Sequence, residues 1–330
     1  MNYELLITLI LLVICWIILT VADLTVAGLV ALLGGARFRT VFLWGLLSLC
    51  IPVVLMAYGT LVERNWYQVK RVEVESQSVP EGFDGFTIAQ ISDIHLRSYA
   101  NRPQSLRKAV DRINSLNPDI VCFTGDLVSL EVSELDGFED ILKGIKAPVY
   151  AVMGNHDYLI YSGKGKGSAP GIDAQVEALE SREKALGWNL LLNENRIIVR
   201  GEDSMAVIGV ENTSASSHFP SHGNLQRAME GTDGCFRVLL SHDPTYWDIE
   251  VKGRDIPLTL SGHTHAIQFS LFGWCPSRYL FKQYRGMYAD GEQMLYVNIG
   301  LGETIFPARI GTRPEITLIT LEKNLKKNVP

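Results

Sequence analysis

The stretch Ile88-Ala-Gln-Ile-Ser-Asp93-Ile-His95-Leu96 decides the fold. Its apolar start reads as a buried strand, and the first polar side chains after it are a carboxylate and an imidazole two positions apart. Alternation puts Asp93 and His95 on one side, where the strand opens into a loop. One Asp-x-His pair means little by itself. Working outward, the same kind of cluster recurs where other apolar runs end: Gly125-Asp126, Gly154-Asn155-His156-Asp157, Ser241-His242-Asp243 and Ser261-Gly262-His263-Thr264-His265. Of the seven histidines in the chain, five fall in these clusters.

Between the clusters, short apolar runs alternate with amphipathic segments. Strands are expected at 87–92, 120–124 and 149–153, with helices at 103–116, 131–144 and 173–186. Further strands are expected at 190–192, 196–200, 205–210, 236–241, 258–260, 294–299 and 315–321. Strands separated by helices indicate parallel βαβ units, and the later, closer ones suggest antiparallel pairs. The expected architecture is therefore α/β, a two-sheet β-sandwich flanked by helices, over residues 86–325. In open α/β sheets ligands sit beyond the carboxyl ends of the strands, where every cluster begins. Gly163-Lys-Gly-Lys-Gly167 reads as a mobile loop with Lys164 and Lys166 solvated, and His218 and His222 read as hydrogen-bonded structural histidines.

The amino-terminal part is of another kind. From Leu5 to Leu33 the only charge is Asp23, and from Thr40 to Val62 there is none. Crossing about 30 Å of hydrocarbon takes roughly 20 apolar residues. Residues 1–62 are therefore expected to form an N-terminal transmembrane segment of two helices, near 4–33 and 40–62, with the lipid bilayer as partner. A cleaved signal peptide is disfavoured, because no basic region precedes the apolar run. Residues 63–85 read as a polar connector. Arg37 and Arg39 in the turn balance Arg64, Lys70 and Arg71 after the second span, so charge does not orient the protein. Cys15 and Cys50 lie in the spans and Cys122, Cys235 and Cys275 have no framework spacing, which argues against a disulfide scaffold. Net charge is −6 with no extended basic run, which excludes a nucleic-acid surface.

Two divalent cations about 3.5–4 Å apart need a bridging carboxylate and several nitrogen and oxygen ligands each. The clusters offer Asp93, His95, Asp126, Asn155, His242, His263 and His265. Imidazole with carboxylate and no thiolate suits Mn²⁺, Fe²⁺ or Zn²⁺. In this order, D-x-H, G-D, G-N-H-D, a lone H and G-H-x-H resemble the calcineurin-like metallophosphoesterase superfamily over residues 86–321. The resemblance implies one cation on Asp93, His95, Asp126 and His265 and a second on Asp126, Asn155, His242 and His263, with Asp126 bridging. It implies in-line attack of an activated water on phosphorus, with His156 stabilising an oxygen or protonating the leaving group. Asp157 would fix a histidine tautomer or the loop.

There are two departures from the family pattern. The second motif, commonly G-D-x-x-D, is here Gly125-Asp126-Leu-Val-Ser129, so His156 lacks the usual carboxylate or is oriented by another acid. Ala266 follows G-H-T-H where relatives often carry glycine. A transmembrane segment followed by a phosphoesterase domain also resembles the membrane-associated branch that includes the UDP-diacylglucosamine pyrophosphatases. That likeness implies an integral protein of a bacterial inner membrane acting on a lipid-linked phosphodiester or pyrophosphate. A broad phosphodiesterase or monoesterase for soluble substrates, and a non-catalytic membrane scaffold, stay open as alternatives. The apolar segment 269–281 reads either as core or as a hydrophobic lip that takes an acyl chain or enters the interface.

Overall fold

The strand that begins the decisive stretch is one of twelve in the computed structural model, which describes residues 3–161 and 171–324. The lysine-glycine segment around Lys164 and Lys166 lies outside the described residues. In chain order the helices are α1 (Tyr3–Leu32), α2 (Phe38–Gly45), α3 (Cys50–Leu61), α4 (Pro103–Ser115), α5 (Glu139–Leu142), α6 (Ile172–Ala185) and α7 (Leu225–Ala228). The strands are β1 (Gln68–Ser76), β2 (Thr87–Ile91), β3 (Ile120–Phe123), β4 (Val149–Ala151), β5 (Asn189–Leu190), β6 (Glu194–Arg200), β7 (Asp203–Gly209), β8 (Phe236–Leu240), β9 (Leu258–Ser261), β10 (Gly286–Asp290), β11 (Gln293–Val297) and β12 (Glu315–Lys323).

Two six-stranded sheets result, ordered β1-β12-β2-β3-β4-β5 and β10-β11-β9-β8-β7-β6. Strands β2 to β5 run parallel, as the intervening helices require. The second sheet is more mixed than the spacing suggested. Only its edge hairpins β6/β7 and β10/β11 are antiparallel, while β7, β8, β9 and β11 run parallel. Gly201 and Gly291, at φ 63° and 60°, supply the left-handed residue that each two-residue hairpin turn needs. The stretch read as a connector contains the nine-residue β1, which pairs in parallel with β12. Its alternating Val72-Glu73-Val74-Glu75 was the signal for it.

Period-two alternation distributes the core. Ile88, Ile120 and Cys122 face the second sheet, where Val207, Val238 and Leu258 meet them. Their neighbours Ala89, Val121 and Phe123 face outward against Leu106 and Val110 of α4 and Leu179 of α6. The far side of the second sheet, with Ile208 and Leu239, packs under Leu225, Tyr246 and Trp247. Fully burying a side chain of this size contributes about 1.5–3 kcal/mol, so the sandwich is held as four layers. Helix was expected throughout 131–144. Instead Gly137, at φ 82°, separates a single turn at Val132–Leu135 from α5, and Glu134 turns back to accept the N–H groups of Ser129 and Leu130.

The amino-terminal helices carry their apolar side chains outward, with Ile18 and Val54 both more than half exposed. Leu5–Leu32 and Phe38–Asn65 are each 28 residues of helix long and apolar enough to cross a membrane, about 42 Å at 1.5 Å per residue. The second tightens into a 3₁₀ turn at Leu46–Leu49 because Pro52 has no N–H for the Ser48 carbonyl. Its end is tied to the body, where the Arg309 N–H reaches the Gly59 carbonyl at 3.4 Å.

Candidate metal centre

Each site residue stands just past the carboxyl end of a strand: Asp93 and His95 after β2, Asp126 after β3, Asn155 and His156 after β4, His242 after β8, His263 and His265 after β9. Asp93, His95, Asp126, His263 and His265 all adopt left-handed backbone, with φ between 46° and 75°. Each such residue costs about 1–3 kcal/mol. The bends turn the chain back on itself at the rim, so that side chains from five strand ends point to one place. Two glycines allow this crowding. A Cβ on Gly154 would fall 2.2 Å from Asp126 Oδ1, and one on Gly262 would fall 1.9 Å from Ser92 Oγ.

The structure brings all seven donors together in two linked groups. In the first, His265 Nε2 lies 3.2 Å from Asp93 Oδ1 and 3.2 Å from His95 Nε2. In the second, Asn155 Oδ1 lies 2.8 Å from His263 Nδ1 and 3.1 Å from His242 Nε2. Asp126 joins them, its Oδ2 being 3.6 Å from His95 Nε2 and 3.1 Å from His242 Nε2. Three groups here have ligand atoms close enough together to hold a metal ion: Asp93, His95 and His265; Asp93, Asp126 and His242; and His95, Asp126 and His156.

The electrostatics agree. Burial raises the Asp93 and Asp126 carboxyls, but the imidazoles of His265 and His242 outweigh it and hold both below the usual carboxylate range. Burial works against a charged His242, and Asp126 beside it reverses this, raising it to about 10. Burial, then His156, pushes His95 well below its ordinary value. Two buried carboxylates thus stay ionised, balanced here by imidazolium charge.

The outward nitrogen of each imidazole is also held, which fixes ring orientation. His95 Nδ1 faces Ser129 Oγ at 3.2 Å, and His242 Nδ1 donates to the Thr124 carbonyl at 2.7 Å. His263 Nε2 lies 3.7 Å from Asp243, which also accepts the N–H and hydroxyl of Thr245. Arg309, fully buried, donates to the carbonyls of Ile299, Gly302 and Thr312 and lies 3.4 Å from His265 Nδ1.

His156 is oriented without an acid. Its Nδ1 lies 2.8 Å from the Ser129 carbonyl, so the residue at the departing position acts through its main chain. Asp157 is sealed into the loop, where its carboxylate accepts the N–H groups of Asp126, Leu127, Val128 and Gly154. Burial and the Asp126 charge push it up to about 7 against those donors. Of the two alternatives for Asp157, it holds the loop and touches no histidine.

A cleft of about 300 Å³ opens over Asp126, Asn155, His156, His263 and His265, with Ile267, Leu280, Phe281 and Ile305 on its rim. The Tyr161 ring lies 4.5 Å from that of His156, tilted by 35°, and Phe219 and Phe281 stand edge-on to His263. Phe281 ends the apolar segment 269–281 already singled out; sequence reasoning passed over Tyr161 and Phe219, which sit in loops without periodic pattern, with Phe219 beside His218 the available hint. Leu280 on the rim is 73% exposed, and beyond it Phe272 is 99% exposed. The segment 269–281 is exposed at 271–274 and 278–280 and buried at Cys275 and Ser277.

A model of the calcineurin-like phosphoesterases matches residues 86–266. The chain is 33% identical over 289 residues to a transmembrane protein with metallophosphoesterase domain of Danio rerio, covering 84% of this chain and 62% of that one. It is 31% identical over 274 residues to the metallophosphoesterase YkuE of Bacillus subtilis, covering 80% and 89%. Over 119 residues it is 34% identical to the UDP-2,3-diacylglucosamine pyrophosphatase LpxG of Chlamydia trachomatis, covering 34% and 35%. The chain thus spans less than two thirds of the Danio rerio relative's length.

Proposed function

From the premise that the chain belongs to the calcineurin-like phosphoesterase family, we propose that it is a membrane-anchored phosphohydrolase that uses two divalent cations to cleave a phosphodiester or pyrophosphate bond of a lipid-linked substrate. The observation that carries the reading is the Asp126 carboxylate standing between His95 and His242. Asp93, His95, Asp126 and His265 would hold one cation, and Asp126, Asn155, His242 and His263 the other. Manganese, iron or zinc fits this donor set. Such a pair supplies Lewis acidity and an activated water at neutral pH.

The chain's own groups do the rest. His156 keeps its Nδ1 proton on the Ser129 carbonyl in both charge states, so the exchangeable proton is on Nε2, which can be given to the leaving oxygen. The rings of Tyr161, Phe219 and Phe281 limit water at the cleft. The polar floor and apolar rim suit an amphiphile, with phosphate below and acyl chain over Ile267, Leu280 and Ile305. The two outward-facing apolar helices and the exposed lip support delivery of that substrate in the plane of a membrane.

Hydrolysis of bis(p-nitrophenyl) phosphate with added Mn²⁺, lost in Asp126→Asn, tests the chemistry. Lipid extracts incubated with the pure protein and read by mass spectrometry identify the substrate. If wild type and Asp126→Asn turn over the aryl diester equally, the proposal is wrong.

A further inference from the structure

The second apolar helix meets the catalytic body at a glycine. Gly59 is buried in the last turn of α3, and a Cβ there would fall 2.8 Å from the Arg309 carbonyl oxygen and 2.9 Å from Ile310 Cγ1. A residue without a side chain is what lets the helix lie against this loop. Past the end of α3, Arg64 Nη1 donates to the Pro307 carbonyl at 3.1 Å. The helix is thus seated on the main chain of 307–310.

The same loop is fastened to the metal centre by a buried side chain, Gln268. Its Nε2 donates to the Phe306 and Ala308 carbonyls at 2.7 and 2.8 Å, and its Oε1 accepts the Thr304 N–H at 2.7 Å. Gln268 closes a run of four residues, from His265 onward, that all hold left-handed backbone with φ between 48° and 56°. None of the four is glycine, and such backbone persists only where its surroundings dictate it. The candidate ligand His265 opens that run, while Ile267 within it and Ile305 in the loop both line the cleft. Arg309 also approaches His265 Nδ1, at 3.4 Å, but its guanidinium is held by the carbonyls of Ile299, Gly302 and Thr312, which leaves Gln268 as the firmer tie.

We propose that Gln268 is a positioning residue that carries the seating of the second apolar helix on 307–310 to His265 and the Ile267 rim, an inference that rests on the two-cation reading of the site. The full chain in detergent micelles is compared with Gly59→Val, which pushes the helix off the loop from outside the cleft, with Gln268→Met, which keeps the length and loses the bonds, and with the double variant. Leu225→Ala, in the core beyond the second sheet, controls for stability alone. Two readouts are taken: Mn²⁺ affinity from the electron paramagnetic resonance of free Mn²⁺, and amide hydrogen exchange at 264–270 in the metal-free chain.

Gly59→Val and Gln268→Met should each weaken Mn²⁺ binding about tenfold, as for other lost orienting bonds around a metal, and speed exchange at 264–270. The double variant should match Gln268→Met, because one route broken twice is broken once. Leu225→Ala should lower the thermal midpoint and leave both readouts at wild type. Gly59→Val that behaves as Leu225→Ala overturns the proposal, and effects that multiply in the double variant overturn Gln268 as the route. Should Gly59→Val not fold, Gly59→Ala makes the same close approach with a smaller side chain and is judged by the same outcomes. Failure of the two-cation reading would show separately, as wild type that binds fewer than two Mn²⁺, while exchange in the metal-free chain still decides the coupling.

Discussion

The main-chain carbonyl of Ser129 lies 2.8 Å from Nδ1 of His156. The hydroxyl of the same residue faces His95 instead. In the proposed mechanism, one residue therefore positions the proton donor through its backbone and a cation ligand through its side chain. The division gives two different expectations.

Replacing His156 by Asn should lower kcat by about 10²–10⁴-fold, the usual contribution of a positioned acid. Metal content measured by mass spectrometry should stay at the wild-type value, because His156 is not among the seven donors. Loss of metal in this variant would make His156 a ligand.

Ser129→Ala removes the partner of His95 Nδ1 and leaves the carbonyl in place. Manganese affinity should fall by about 10–100-fold, as for other lost orienting bonds around a metal. Turnover at saturating Mn²⁺ should remain near wild type. A kcat that collapses at saturating metal would show that the hydroxyl, rather than the carbonyl, serves His156.

The exposed lip gives a third expectation. Phe272→Ser with Trp274→Ser should weaken hydrolysis of the lipid substrate in vesicles by tenfold or more while leaving the soluble aryl diester within twofold, since neither side chain lines the cleft. Equal losses on both substrates would remove the lip from the account.

A fourth concerns stability. Glu183 in α6 is fully buried with neither carboxylate oxygen hydrogen-bonded, and burial, then the Asp157 charge, pushes its carboxyl well above 4.5. The folded protein keeps a proton there that the unfolded chain releases, so this contribution is complete at acid pH. It falls by about 1.4 kcal/mol per pH unit as pH rises from the unfolded value toward the folded one. Glu183→Gln should flatten that slope and raise the thermal midpoint above neutrality. Parallel midpoint-against-pH curves for the two proteins would refute the assignment.

Much of this was legible in the residues, for identifiable reasons. The strands that carry site residues end in polar side chains at fixed offsets, and period-two alternation of β2, β3 and β4 gave the layers. The convergence of the seven candidate donors was readable because each sits next to a glycine or just past a strand end. Main-chain partners were not. That Thr124 and Ser129 hold imidazoles through carbonyls depends on backbone direction, to which side-chain identity is blind. The parallel centre of the second sheet was hidden too, because its crossovers between β7, β8 and β9 use loops and a short helical turn each rather than long helices. Nor did composition foretell that Gln268 would pin a left-handed run from His265 to itself, its amide bridging to Phe306, Ala308 and Thr304.

β1 is the first strand after the apolar helices, and it seals the outer border of β12 along nine paired positions. Trimming the protein at residue 86 to obtain a water-soluble fragment would strip that border bare. A naked row of unpaired amides is an invitation to stack with a neighbour, so such a fragment should precipitate or form fibrils. A cut between Trp66 and Gln68 would spare the strand, which makes the place of scission, rather than the loss of the hydrophobic hairpin, what decides whether the enzyme survives in water.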